Sequence, residues 1–180
     1  MRLPRFITGL FLFAALAAPA AAQSKGDLEN MLYLDLKDGR VVIKLRPDLA
    51  PNHVARIKEL ARQKFYDGHV FHRVIDGFMA QTGDPTGTGT GGSGKKLKAE
   101  FTKEPFKRGT LGMARSQSPD SADSQFFICF KDATWLNGQY TVWGEVTDGM
   151  EFVDKIAKGE PPAKPDKIVT MRVAADVEKK

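Results

Sequence analysis

Three histidines, one cysteine and one glycine-rich loop are the places in this 180-residue chain where familiar chemistry could start. His53, His69 and His72 are the histidines. His69 and His72 lie three apart in a β-like stretch over 69–75, so they point to opposite faces and cannot share a metal. Cys129 sits in the apolar run FFICF over 126–130. That setting predicts a buried, inert thiol, and a single cysteine forms no intrachain disulfide. The loop over 83–94 reads GDPTGTGTGGSG. Gly87, Gly89 and Gly92 match G-x-G-x-x-G, and 89–95 match most of a phosphate-binding loop. Lys96 stands where such a loop needs a Ser or Thr hydroxyl, and the KLKAEF that follows opens no amphipathic helix. Without a strand–loop–helix unit there is no dock for a pyrophosphate. No G-x-S-x-G elbow is present, and no carboxylate pair sits in an apolar setting. Metal, nucleotide, thiol and serine chemistry all fall away, and no cofactor is expected.

The elements around these residues are mostly strands. Runs at 31–36 and 40–45 flank Asp38-Gly39, a hairpin signal. A helix follows from Pro51, with Val54, Ile57, Leu60 and Ala61 on one face. Further strands are expected at 69–75, 78–82, 109–115, 124–130, 140–146 and 167–174, and a short helix at 149–157. About eight short strands and two helices point to a mainly-β fold: a closed eight-stranded antiparallel β-barrel capped by two α-helices.

The first 22 residues read differently. Arg2 and Arg5 precede an apolar stretch over 6–18, and Ala20-Ala21-Ala22 offers small residues for a cut. This is the pattern of a cleaved signal peptide, and it is too short to span a membrane. The expectation is therefore a signal over 1–22 and one domain over 23–180, exported to the periplasm without stable membrane association. Removing 1–22 leaves 25 basic against 22 acidic side chains, a net charge of +3. With no long Lys/Arg run, that balance asks for no nucleic-acid partner.

Three blocks carry a family resemblance. They are FHRVIDGFMAQTGD over 71–84, GMAR over 112–115 with SQFFI over 124–128, and WLNG over 135–138 with VWG over 142–144. In order and spacing they resemble the cyclophilins, the peptidyl-prolyl cis-trans isomerases, and more closely the bacterial subfamily. The resemblance implies an enzyme that rotates X-Pro bonds in proline-containing polypeptides and so assists folding of exported proteins. It implies that Arg73 is the catalytic residue. Phe78, Met79, Phe127 and Leu136 match the proline pocket. Gln81, Ala114 and Gln125 match the groove for the substrate backbone, and Trp135 matches the pocket rim. Arg115 and Tyr140 depart from the common Asn and His. The cyclic peptide cyclosporin is expected to inhibit, less strongly than in the best eukaryotic members because of Tyr140. A monomer is expected.

The chemistry suits this residue set. An X-Pro bond is a partial double bond with a barrier of ~18–20 kcal/mol. Twisting it breaks no bond to a leaving group; it localises a lone pair on the prolyl nitrogen. A guanidinium, always protonated and presenting fixed donors, can bind the twisted form better than either planar isomer. The alternative is a non-catalytic module or chaperone that only holds proline segments, which leaves a charge at Arg73 inside an apolar pattern without a task.

Overall fold

A computed structural model of the chain describes residues 24–178. The signal peptide expected over 1–22 lies outside the described residues. The elements are α1 (Lys25–Glu29), β1 (Met31–Leu36), β2 (Gly39–Leu45), α2 (Pro51–Arg62), β3 (Arg73–Ile75), β4 (Met79–Thr82), β5 (Thr110–Met113), β6 (Phe126–Cys129), β7 (Val142–Asp148), α3 (Met150–Asp154), β8 (Thr170–Val173) and α4 (Ala174–Val177). Short 3₁₀ turns cover Pro119–Ser121 and Thr134–Leu136.

Alternation builds the first half of the sheet. In β1 Leu32, Leu34 and Leu36 face inward, and in β2 Val41, Ile43 and Leu45 do the same. Leu34 pairs with Val41, and β8 adds to the other side of β1 with Met171 against Leu34. The apolar stripe of α2 packs on this inner face through Val54, Ile57, Leu60 and Ala61. No side chain of Ala50 caps α2. The Glu100 carboxylate does it from a distant loop, accepting the Asn52 and His53 N–H groups at 3.1 and 3.0 Å and facing His53 Nδ1 at 2.6 Å. Burial pushes the Glu100 carboxyl up, and these hydrogen bonds outweigh it and hold it below its ordinary range.

The second half, β4, β6 and β5, carries apolar side chains on both faces. One face gives Ala80, Phe126, Ile128, Leu111 and Met113 to the main core, together with the fully buried Trp143 of β7. The other gives Met79, Phe127 and Cys129 to a smaller outer cluster with Phe106, Ala133, Leu136 and Val142. That is why these strands read as continuous apolar runs rather than alternating ones.

The barrel is not closed. The strand order is β3-β4-β6-β5-β7-β2-β1-β8, an open, curled half-barrel with β3 and β8 at its edges. The stretch between α3 and β8 runs along the gap and makes only isolated bridges, Val74 with Gly159 and Val70 with Lys167. It carries Pro161, Pro162 and Pro165, which have no N–H to extend a ladder. Gly159 and Ile168 donate across the gap to Val74 and His69, but the bridges do not extend into a ladder. The strand expected over 69–75 is correspondingly short: β3 begins at Arg73, so His69 and His72 lie in the approach to it and not on alternate faces of a regular strand. Two short helices, α1 and α4, join the two expected ones, and α3 stops at Asp154.

Candidate active site

The register of the sheet sets one row of side chains across its outer face. Arg73 on β3 lies opposite Gln81 on β4, Gln81 opposite Phe127 on β6, and Phe127 opposite Gly112 on β5. Gly112 is required by that row. A Cβ there falls onto the Phe127 and Phe106 rings, 2.6 Å from Phe106 Cε1. Phe127 can therefore lie flat in the surface, stacked on Phe106 at 5.7 Å between centroids.

A groove of about 910 Å³ opens over this row, within the size of ordinary small-ligand sites. Met79, Phe127 and Leu136 form its apolar floor, all nearly buried. Phe78 and Trp135 stand at one side with ring centroids 5.4 Å apart. Trp135 is 59% exposed, the most exposed large apolar side chain among the described residues. Tyr140 closes another side, edge-on to Phe127 at 5.9 Å. The groove thus brings together Arg73, Phe78, Met79, Gln81, Ala114, Arg115, Phe127, Trp135, Leu136 and Tyr140.

Polar groups line the remaining side as a chain. Arg73 Nη1 approaches Gln81 Oε1 at 3.5 Å, Gln81 Nε2 donates to Gln125 Oε1 at 2.9 Å, and Gln125 Nε2 donates to the carbonyls of Gly89 and Gly91. Gln125 is therefore spent on tethering the glycine loop to Gln81; it borders the smaller pocket beside the groove. The loop itself is held from within. Asp84 accepts the N–H groups of Thr86, Gly89 and Gly91 and the Thr86 hydroxyl. Burial pushes Asp84 up, but these four bonds prevail and hold its pKa at about 2. Asp123 likewise accepts from the Ser93 and Gly94 N–H groups and the Ser93 hydroxyl. Amides that a phosphate would need are already bound to carboxylates.

The two departures, Arg115 and Tyr140, are one unit. The Arg115 guanidinium lies 4.5 Å over the Tyr140 ring and donates to the carbonyls of Gln139, Ser116 and Gln117. Cys129 lies under the floor, and burial pushes its thiol up to about 12. That leaves no useful thiolate.

Sequence reasoning missed Glu160 and Pro161, which also line the groove. Glu160 Oε1 accepts from Arg73 Nε at 2.9 Å. It lies in the proline-rich connector, where a lone charge looks like ordinary solvent-facing surface.

An outward-facing apolar pocket on a curled antiparallel sheet, with an arginine at its edge, defines the class. The family model of the cyclophilin type peptidyl-prolyl cis-trans isomerase/CLD matches residues 31–173, and the chain belongs to that family. A probable peptidyl-prolyl cis-trans isomerase of Brucella suis is 53% identical over an alignment of 192 residues, covering 92% of this chain and 98% of the relative. Peptidyl-prolyl cis-trans isomerase B of Bacillus subtilis is 44% identical over 131 residues, covering 71% and 91%. Among solved structures, the cyclophilin AquaCyp293 from Hirschia baltica superposes with a TM-score of 0.79 at 28% identity, covering 86% of this chain and 77% of that one. A Cryptosporidium parvum cyclophilin type isomerase, crystallised in the presence of the dipeptide Ala-Pro, gives 0.74 at 28% identity, covering 79% and 98%. The chain is a cyclophilin-type peptidyl-prolyl cis-trans isomerase.

Proposed function

We propose that this isomerase works by binding a proline ring on the floor of Met79, Phe127 and Leu136 while Arg73 donates to the prolyl nitrogen of the twisted amide. The observation that carries this reading is the cross-strand row that sets Arg73 in line with Gln81 and Phe127 at the edge of an apolar groove. Arg73 has five N–H groups. Among the described residues its hydrogen-bond acceptors are Glu160 and Gln81, so three N–H groups are left for a ligand. The planar amide is more polar than the twisted one, so an apolar floor favours twisting, and the donor is stronger where water is displaced. Trp135 and Phe78 offer a flat apolar wall for residues flanking the proline, and for cyclosporin. An assay of X-Pro isomerisation in a short peptide tests the assignment. Arg73→Ala is expected to lower turnover by about 10²–10³, the range for removing one oriented donor. Near-normal turnover with a native circular dichroism spectrum excludes the role.

The enzyme acts outside the cytoplasm, on proline-containing segments of exported proteins. The basis is the n-region, apolar core and alanine run of residues 1–22. The mature chain then starts at Gln23, and the intact mass of protein recovered from the periplasm checks it. Full-length protein found only in the cytoplasm refutes export.

A further inference from the structure

We infer that Glu160 is a positioning residue for Arg73, an inference that rests on the reading of Arg73 as the donor to the prolyl nitrogen. The backbone places it. Val74 and Gly159 exchange reciprocal N–H to carbonyl bonds, both at 2.8 Å, which adds one rung to the outer edge of β3. Glu160 follows Gly159 and Arg73 precedes Val74, so this bridge brings the two side chains within reach of each other. The guanidinium thus has an acceptor on each side, Glu160 beyond the edge of β3 and Gln81 on β4.

The arginine needs such a clamp. Its side chain is 45% exposed, and a long side chain in water spreads over many rotamers. Gln81 holds it weakly at 3.5 Å, at the limit of a hydrogen bond. Glu160 at 2.9 Å to Nε is the firm contact. Nε is the guanidinium nitrogen nearest the stem, so fixing it orients the plane while leaving Nη groups available to a ligand. Glu160 also lines the groove, next to the space a bound chain would take. Because both partners are about half exposed, the effect is modest and sensitive to salt.

The test is steady-state and rapid-mixing isomerisation kinetics of Glu160→Ala, Glu160→Gln and Arg73→Ala, singly and with Glu160→Ala combined with Arg73→Ala. Glu160→Ala is expected to lower kcat about two- to fivefold, the span of an exposed ion pair, with KM little changed. Glu160→Gln keeps an acceptor for Nε and is expected to recover most of that loss. High salt is expected to bring the wild type toward Glu160→Ala. In the Arg73→Ala background, Glu160→Ala is expected to cost nothing more. A wild-type kcat in Glu160→Ala, or the same proportional loss with and without Arg73, overturns the positioning role. If Arg73→Ala itself turns over normally, the reading of Arg73 fails and the inference goes with it. If Arg73→Ala is crippled and Glu160→Ala is not, only the positioning role fails.

Discussion

The inner and outer faces of β4, β6 and β5 use the same strands for opposite ends. Inward, Phe126 meets Tyr66 and Trp143 edge-on at 5.5 and 5.4 Å, in a core with no exposure to solvent. Outward, the very next residue, Phe127, is nearly as buried in the free enzyme, yet its ring lines a groove. Burial does not separate the two. What separates them is what lies on top: α2 and the rest of the half-barrel in one case, solvent awaiting a ligand in the other. The lesson is that a two-sided sheet can hold the floor of a site on neighbours the core has already fixed, while the rim residues Arg73 and Trp135 stay exposed.

Truncating Phe126 and Phe127 separately tells the two faces apart. Phe126→Ala is expected to lower unfolding stability by about 3–5 kcal/mol while the folded fraction keeps its kcat/KM. Phe127→Ala is expected to remove about 1.5–3 kcal/mol of proline-ring burial, roughly 10–100-fold in kcat/KM, at a smaller cost in stability. Urea titration and the isomerisation assay on the same preparations give both numbers. Equal effects on both measures from both variants mean that the faces are not distinct in function.

Much of this was legible in the chain. The β1–β2 hairpin announced itself through Asp38-Gly39 between alternating runs, and α2 through Pro51 and its stripe. Residues of the groove stood in three compact blocks whose types and spacing resemble a family pattern. The open edge was not legible, because closure depends on whether β3 meets β8, two segments about 100 residues apart in sequence. The three prolines along the gap looked only like a stiff connector. Glu160 was hidden for the same reason: its partner Arg73 is 87 residues away, and only the Val74–Gly159 bridge brings the two together. The remote cap on α2 by Glu100 is another contact of this kind. Local pattern carried the elements; long-range register carried the rest.

A finer test concerns the outer wall. Arg115 and Tyr140 are stacked, so their substitutions should not act independently. A double-mutant cycle with Arg115→Asn and Tyr140→His, read as kcat/KM and cyclosporin affinity, is expected to show a coupling of about 0.5–1 kcal/mol. Additive effects mean the stacking carries no energy and each side chain bears on the ligand alone.

The gentlest test is pH. Burial depresses the pKa of both His69 and His72, with Asp84 opposing it in each case. Both bind protons less readily when folded than when unfolded. Their contribution to stability is present above the unfolded value of about 6.5 and is lost as pH falls from there toward the folded values. Melting temperature is expected to decline through that window, before the carboxylates titrate. The decline should flatten in a His69→Gln, His72→Gln variant; an unchanged slope there assigns it to other groups.

The half-barrel's two edges bear on the company this enzyme keeps. Its substrates are polypeptide chains, and an unfolded chain is the kind of partner that adds itself to a bare strand. At β3 the outer backbone positions of Val74 are taken by Gly159, and prolines follow. At β8 the Met171 N–H is taken by the Asp67 carboxylate at 3.2 Å, which also grips the Arg172 guanidinium. Among the described residues, the outward backbone groups of Val74 and Met171 are thus already spent at the two edges, which blunts them for strand addition. For a polypeptide that enters the groove, the edge groups of Val74 and Met171 are already taken by partners within the enzyme, which leaves the groove rather than the sheet edge as the place to bind.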